Sequence, residues 1–529
     1  MRTTRKLIHI YLLGCHSLER MPPNISLLNN LRTLTTFIVG TKAGRGIEEL
    51  KDLHHLTNML ELRNLGNINS RENGKKANLY QKKNLSEILL YWSHHIEYMP
   101  ENKACNEEEV SESLTPHDKL KVLELHGYSG LKISGRMREP QKFLCVRVLH
   151  ISYCSYKDLP AVELSFSLEC LVLSGMDNLT TLCKSVGMEA QGCNIPLQFF
   201  PKLKYLKLKM LSNMEKWAEN TTGEANYFVT FPELEMLEIT KCQKLSSVPD
   251  CPVLKKLETE GCPSLAMSSL AHLTTLSELT YGAGESSCLN MWLGSWSSLV
   301  RLDVRLSNDI VTPVEIDKNQ GPLENLRSFT LSGLSFFTAT FPSSQMHARM
   351  WKCFTFVEEL RIDCCNDLVR WPTEELMSLI HLRSLDIESC DNLEGKGSSS
   401  DDIPKFPISY CRRLVALPSN HGNLARLKVL YFTSLERLTI RSCPKIEKFP
   451  QGLLQRLATL KSLWIEECPV LQRRCREGGE YFELLSSIPR KYIAPIYIPE
   501  PEIEGTEEFA VKESMCNVKR LVKRFLPSC

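Results

Sequence analysis

The sequence predicts an α/β repeat solenoid, with a parallel β-sheet on its concave face and irregular or short helical segments outside. The first observation is a recurring line: leucine, two variable residues, leucine, one variable residue, an aliphatic residue, two variable residues, cysteine. One copy consists of Leu234, Leu237, Ile239 and Cys242. The second observation is that such copies recur with a period of roughly 20–30 residues. Other clear copies end at Cys365, Cys390, Cys443 and Cys468.

Each copy predicts the same series of elements. The alternation of leucines has period two, which predicts a short strand with one face turned inward. Cysteine is an accepted alternative to asparagine at the turn that follows the strand of a leucine-rich repeat. Proline often comes next, as at Pro249, Pro372 and Pro450. Because proline cannot donate to a β-ladder, these positions are expected on the outer side.

The repeats predict one solenoid over residues 1–493, built from about fifteen irregular copies. Three stretches of atypical spacing are expected to project as loops, namely residues 184–199, 311–324 and 394–408. Residues 494–529 form a C-terminal tail that we expect to be poorly ordered. Within it, residues 515–526 alternate basic and apolar side chains, a pattern that a short amphipathic helix would also show.

Cysteine use follows the repeat. Of 21 cysteines, a set occupies the turn position that closes a strand: Cys15, Cys154, Cys242, Cys262, Cys365, Cys390, Cys443 and Cys468. We expect these turn cysteines to be structural, buried and reduced. There is no Cys-x-x-Cys pair, so a zinc site is not expected. Free thiols indicate a reducing compartment, and we expect a cytoplasmic protein.

Charge and motifs exclude several functions. The net charge of +2 favours neither nucleic acid nor an acidic membrane. No apolar stretch approaches the ~20 residues of a membrane span. The sequence lacks a Gly-x-x-x-x-Gly-Lys-Ser/Thr loop, a His-Glu-x-x-His pair and a Gly-x-Ser-x-Gly elbow. We therefore expect no enzyme activity, no bound nucleotide, no other cofactor and no metal.

The candidate binding residues are those that alternate with the inward leucines along each strand. A solenoid of this kind binds proteins on its strand face, although each such position on its own is also ordinary solvated surface. The pairs Lys207/Lys209 and Glu258/Glu260 further suggest patches of one charge. The candidates are Tyr205, Lys207, Lys209, Met236, Glu238, Lys256, Glu258, Glu260, Arg301, Asp303, Arg305, Glu359, Arg361, Asp363, Arg437, Arg441, Trp464 and Glu466.

Several longer segments carry a resemblance beyond the repeat. They include residues 14–23 (Gly-Cys-His-Ser-Leu-Glu-Arg-Met-Pro-Pro), 60–67 (Leu-Glu-Leu-Arg-Asn-Leu-Gly-Asn) and 114–117 (Leu-Thr-Pro-His). Two more are 199–203 followed by Met-Glu-Lys-Trp, and 468–475 at the end of the repeats. In this order they resemble the leucine-rich-repeat region of plant NB-ARC disease-resistance proteins of the coiled-coil class.

The resemblance implies a role in plant innate immunity. Repeats of this family sense pathogen effectors or guarded host proteins and regulate a nucleotide-binding switch domain. No P-loop and no Met-His-Asp motif precede the first repeat, so we expect a chain without the coiled-coil and NB-ARC domains. An NB-ARC domain would then act in trans.

Two alternatives remain open at this point. An extracellular leucine-rich-repeat receptor or inhibitor would carry a cleaved signal and Gly-x-Ile-Pro turns. An F-box-type substrate adaptor also favours cysteine at the turn, but it needs a helical F-box ahead of its repeats.

Overall fold

The computed structural model describes about three fifths of the chain in detail. The described residues are 6–15, 17–92, 104–131, 145–157, 159, 167–185, 197–198, 200–220, 229–282, 289–291, 296–305, 314–316, 321–333, 351–365, 379, 381–382, 384–388, 407–409, 437–441, 461–466 and 468–495. The chain divides into two compact units. Unit 1 comprises Met1–Leu254 with Ala510–Cys529, and unit 2 comprises Lys255–Phe509.

Unit 1 contains a parallel sheet of eight strands in the order β3-β4-β5-β6-β7-β8-β11-β14. The described strands of this unit are β1 (His9–Ile10), β2 (Thr33–Leu34), β3 (Thr36–Ile38), β4 (Asn58–Arg63), β5 (Leu85–Tyr91), β6 (Val122–His126), β7 (Val148–Ser152), β8 (Cys170–Ser174), β9 (Thr181–Ser185), β10 (Leu197–Gln198), β11 (Tyr205–Lys209), β12 (Lys216–Asn220), β13 (Val229–Thr230) and β14 (Met236–Thr240).

Unit 2 contains a parallel sheet of ten strands in the order β15-β16-β18-β20-β21-β22-β23-β24-β25-β26. Its described strands are β15 (Lys256–Glu260), β16 (Glu278–Gly282), β17 (Leu289–Met291), β18 (Arg301–Arg305), β19 (Val314–Ile316), β20 (Ser328–Ser332), β21 (Glu359–Asp363), β22 (Ser384–Glu388), β23 (Pro407–Ser409), β24 (Arg437–Arg441), β25 (Ser462–Glu466) and β26 (Arg490–Ile493).

Helices are short and lie between the strands. The described α-helices are α1 (Arg71–Lys75), α2 (Ala104–Ser113) and α3 (Pro469–Cys475). Single 3₁₀ turns cover Ile25–Leu27, Ile47–Leu50, Leu65–Asn67, Leu79–Gln81, Met267–Leu270 and Leu484–Ser487. Ser70 caps the N-terminus of α1, its hydroxyl accepting a hydrogen bond from the amide of Asn73 at 3.3 Å, and α3 begins with a proline.

The core is formed by the inward positions of the strands. Along β14, Leu237 and Ile239 are fully buried, whereas Glu238 and Thr240 between and after them are partly exposed. The parallel register sets Leu237 beside Leu206 of β11, so that inward residues of successive repeats stack in one layer. This confirms the predicted leucine-rich-repeat solenoid with a parallel sheet.

A left-handed residue ends many of the strands. Tyr153, Lys241 and Cys364 have φ of 52°, 54° and 53°, and each directly precedes a turn cysteine. Gly175 takes the same place after β8 with φ of 61°. There a Cβ atom would also lie 2.6 Å from Cδ1 of Tyr153, so that glycine is required by space as well as by φ.

Some outer segments are extended, which the sequence did not predict. Strand β9 pairs with β12, β10 with β13, and β17 with β19, all in parallel and outside the main sheets. The expected loop at 184–199 therefore overlaps β9 and β10, and the loop at 311–324 contains β19. These segments pair because consecutive repeats bring equivalent outer residues side by side, as they do the main strands. Residues 394–406 and the tail from 496 lie outside the described residues.

Candidate interaction surface

The outward face of the unit 2 sheet presents three rows of side chains that run across the strands. We name them by position in the strand. Row A is Lys256, Glu278, Arg301, Ser328 and Glu359; row B is Glu258, Thr280, Asp303, Thr330 and Arg361; row C is Gly282, Arg305, Ser332 and Asp363, with Glu260 beside Gly282. Along β18 the burial alternates as expected, since Leu302 and Val304 are fully buried and the other three residues are not.

The register brings most of the predicted unit 2 residues into these rows. The residues of β15, β18 and β21 align across the intervening strands β16 and β20. Arg437 and Arg441 begin and end β24, where the register pairs them with Ser462 and Glu466 of β25. Whether these residues bind a partner remains a prediction.

Arg305 of row C is already paired with two carboxylates, one of them in row B. Nη2 of Arg305 lies 3.1 Å from Oδ2 of Asp303, and Nη1 lies 3.9 Å from Oε2 of Glu260. Glu260 and Arg305 are separated by Gly282, which has no side chain to block the approach. The carboxylates raise the pKa of Arg305, with the hydrogen bond to Asp303 as the largest cause.

The prediction that Lys207/Lys209 and Glu258/Glu260 form patches of one charge is wrong. Nζ of Lys207 lies 2.6 Å from Oε2 of Glu238 on the next strand, and Nζ of Lys256 lies 3.8 Å from Oε2 of Glu258. The register sets Glu238 of β14 beside Lys207 of β11, so the next repeat partly neutralises the lysine pair. The glutamate pair is partly neutralised by Lys256 of its own strand, β15.

Tyr205 and Met236 are not exposed, contrary to the expectation for contact residues. They are 0% and 8% exposed. Both belong to a buried apolar cluster with Val122, Val148, Cys170 and Val172. Tyr205 lies between Cys170 and Met236 in the register, so apolar side chains of adjacent strands cover one another on this face.

A buried polar network crosses the same face in unit 1. The hydroxyl of Tyr91 donates to Oε1 of Glu124 at 2.6 Å, and Nδ1 of His150 lies 3.4 Å from the same oxygen. Burial alone would raise the pKa of Glu124, but His150 and Tyr91 together hold it below its usual value. Nδ1 of His126 is 2.6 Å from Oγ of Ser152, and burial lowers the pKa of His126.

An aromatic pair closes the described part of the unit 2 face. The rings of Trp464 and Tyr492 are 4.1 Å apart between centroids, and Nε1 of Trp464 donates to Oε2 of Glu466 at 2.9 Å. Tyr492 is 43% exposed. The sequence analysis missed it because β26 lacks the leucines of a standard repeat.

Glu278 was also missed. Strand β16 has no turn cysteine, and glycine ends it at Gly282. The available signal was the spacing of Leu273, Leu276 and Leu279, which matches the leucine positions of the other repeats.

The turn cysteines hold the ends of the strands. Sγ of Cys154 lies 3.3 Å from the carbonyl oxygen of Ser152 and 3.8 Å from that of Leu125 in the preceding repeat. Cys242 and Cys365 make the same two contacts, at 3.7 and 3.9 Å and at 3.4 and 4.0 Å. Cys262 and Cys468 contact the carbonyl two residues back. All five are buried, and burial raises the pKa of Cys154 to about 12.

Cys15 departs from this pattern, since it is exposed. Its strand β1 is only two residues long and pairs with β2 on one side. In the described residues no earlier repeat covers the turn, so the expected burial of Cys15 is wrong. Cys390 and Cys443 lie outside the described residues.

We expect Cys242→Ser to lower the free energy of unfolding by about 1–3 kcal/mol, because the hydroxyl is smaller and costs more to bury. Urea unfolding of the full chain measures this. Cys15→Ser is the matched control, and its exposed side chain predicts a change within about 0.5 kcal/mol. Equal effects at the two positions would contradict a structural role for burial at the turn.

Metal and membrane features are absent from the described part of the chain. No group of three or more histidine, cysteine, aspartate or glutamate side chains there could hold a metal ion. Among the same residues, none of the helices has the length and apolar character to cross a bilayer.

The sequence comparisons with known proteins agree with the repeat pattern. Residues 47–176 match the family described as R13L1/DRL21 LRRs. The putative disease resistance protein RGA4 of Solanum bulbocastanum is 29% identical over 52% of this chain and 26% of its own length. RGA1 of the same species is 27% identical over 49% of this chain and 25% of its own length. A leucine-rich repeat protein of Bacteroides thetaiotaomicron is a structural match at a TM-score of 0.34 and 12% identity, covering 80% of this chain and 53% of that one.

The fold and its outward rows define a leucine-rich-repeat solenoid. More particularly, residues 47–176 match the R13L1/DRL21 repeats, and about half of the chain is similar in sequence to plant disease-resistance proteins. The resemblance drawn from the sequence is thereby confirmed. The matched region spans about a quarter of RGA1 and of RGA4.

Proposed function

We propose that the chain is a protein-binding solenoid of plant innate immunity that acts in the cytoplasm. It would recognise a pathogen effector or a guarded host protein and regulate a nucleotide-binding switch domain. The observation that carries the proposal is the contrast between the two faces of each strand. Inward positions are buried in every fully described strand of unit 2 up to β21, and all of them are apolar except Thr259 of β15, while outward positions change in charge from repeat to repeat.

Physical reasoning supports protein binding over chemistry. Packing fixes the inward residues, so variation is confined to positions that the core does not dictate. A row of alternating charges gives specificity and a faster encounter with a complementary protein surface. The relatives suggest the biological setting, since they are named as disease-resistance proteins.

The test is capture of a nucleotide-binding ARC domain from a plant disease-resistance relative by the full chain. We expect Lys209→Glu/Arg361→Glu to weaken capture about tenfold or more. Each change replaces a cation by an anion, which would repel the acidic groups of the partner that a cation attracts. Lys207 is avoided, since its reversal would also repel Glu238.

The matched control is Lys51→Glu/Lys352→Glu, which makes the same change of charge at exposed residues outside the strands. It should stay within about twofold of the wild type. Equal capture by both double variants, or loss only in the control, would place the interface away from the strand face and contradict the proposal.

A further inference from the structure

The three rows of unit 2 differ in whether their charges are already paired. Arg305 of row C is held by Asp303 and Glu260. In row A, by contrast, Glu278, Arg301 and Glu359 are exposed, and none of the ion pairs of the described residues involves them. An incoming partner can therefore gain new ion pairs at row A without breaking existing ones.

Row A also lines an open cavity of about 390 Å³. Its wall combines row A with the residue that precedes each strand, and it includes Val300, which is 44% exposed. Arg327 is fixed on the far side: its Nη1 donates to the carbonyl of Glu324 at 2.6 Å, and its Nε lies 3.5 Å from Oε1 of Glu358. The cavity therefore sets one exposed apolar side chain, Val300, beside three charges of row A that form no ion pair among the described residues: Glu278, Arg301 and Glu359.

The backbone carbonyls of the residues that precede the strands of row A already accept hydrogen bonds. The carbonyl of Ser277 accepts the amides of Val300 and Arg301 at 2.8 and 3.0 Å, and that of Val300 accepts Arg327 and Ser328 at 2.9 and 3.1 Å. A partner thus meets side chains and no free carbonyls. This excludes strand addition at row A and favours an amphipathic helix lying across the strands.

We infer that row A and its cavity form the specificity-determining part of the binding surface, and that they take a helix whose charges alternate in the complementary order. This rests on the proposed function and names the partner chemistry: a cation for Glu278, an anion for Arg301, an apolar side chain over Val300 and a second cation for Glu359.

The spacing defines the helix. Parallel strands lie about 4.8 Å apart, so Glu278 and Arg301 are one spacing apart and Glu278 and Glu359 three spacings, about 14 Å. A helix rises about 1.5 Å per residue, which matches lysine at position i, glutamate at i+3 and lysine at i+10. Val300 directly precedes Arg301, so a leucine at i+4, about 6 Å along the axis and on the same face, falls near it.

The probe is a fluorescent peptide of this pattern, stapled on its opposite face to keep it helical. Binding to the full chain is followed by fluorescence anisotropy at about 50 mM salt, where exposed charges are weakly screened. We expect it to bind at least about tenfold more tightly than a permuted peptide of the same composition in which the glutamate and the first lysine are exchanged. Equal binding of the two peptides, or no binding by either, would overturn the inference.

The chain variants complete the test. Arg301→Glu should weaken the designed peptide about tenfold, and a peptide with lysine at i+3 should regain most of that loss on the variant. Lys352→Glu is the control for net charge and should change binding less than twofold. If the Arg301→Glu variant binds the designed peptide with unchanged affinity, the inference about row A is wrong, even if the Lys209→Glu/Arg361→Glu variant no longer captures the ARC domain. If Arg301→Glu keeps its peptide binding and Lys209→Glu/Arg361→Glu keeps its capture of the ARC domain, the result contradicts the proposed function itself.

Discussion

Glu61→Ala should lower the free energy of unfolding by about 3–5 kcal/mol, the largest effect that we expect from a single substitution. Glu61 and Arg63 are 1% and 6% exposed. Nε and Nη2 of Arg63 lie 2.9 and 3.1 Å from the two carboxylate oxygens of Glu61, and the hydroxyl of Thr36 donates to Oε2 at 2.7 Å. Removing the carboxylate leaves a guanidinium buried without its main partner.

Two comparisons separate this mechanism from a general loss of packing. The double variant Glu61→Leu/Arg63→Leu should recover most of the loss, because replacing a whole buried ion pair by apolar residues is often nearly neutral. Lys75→Ala removes an equally short ion pair, 2.8 Å from Glu72, but one whose side chains are 50% and 76% exposed. It should cost far less than Glu61→Ala, because solvent screens an exposed ion pair. Urea unfolding of the full chains measures all three, and a double variant worse than Glu61→Ala would refute the argument.

Alternation in the sequence was enough to predict the strands that carry two leucines and a turn cysteine. In β14 and β21 the inward positions and the turn are fixed within nine residues of sequence, so local reasoning sufficed. Strand β16 was missed because glycine replaces the turn signal. Strand β26 was missed because lysine stands at an inward register position opposite Leu463.

The surface was less predictable, because its properties depend on neighbours far along the chain. Lys207 is neutralised by a residue 31 positions later. Tyr205 is buried by Cys170 and Met236, which the parallel register places on either side of it. The sequence of a single repeat does not reveal which side chains of the neighbouring repeats will lie beside its own. It therefore does not reveal whether a charge is paired or an apolar side chain is covered. The pairing that singles out row A could be seen only in the structure.

Raising the pH above 9 should destabilise the fold steeply, because several thiols are buried where their charged form is disfavoured. Burial raises the pKa of Cys154, Cys170, Cys251 and Cys475 to about 12, and that of Cys183 well above its usual range. An unfolded thiol titrates near pH 8.5. Between that pH and about 12 the folded state therefore holds more protons than the unfolded state, and stability falls as pH rises.

Each such thiol contributes a slope of about 1.4 kcal/mol per pH unit, so five together approach about 7 kcal/mol per unit. Lys82 works in the opposite direction. It is fully buried, and burial lowers its pKa to about 8, so the unfolded state holds the extra proton up to about pH 10.4 and stability rises through that window. One lysine cannot offset five thiols, so the net slope stays negative.

The measurement is urea unfolding of the full chain under reducing conditions from pH 7.5 to 10.5. A native stability of ordinary size, about 5–15 kcal/mol, would be lost within about one to three pH units above 9. Cys170→Ala should start from a lower stability at pH 7.5, yet its curve should fall less steeply by about 1.4 kcal/mol per pH unit. Since Cys15 is exposed, Cys15→Ala should leave the slope unchanged. A flat profile up to pH 10.5 would mean that the thiols reach solvent in the folded state, which would contradict the packing of the repeats around them.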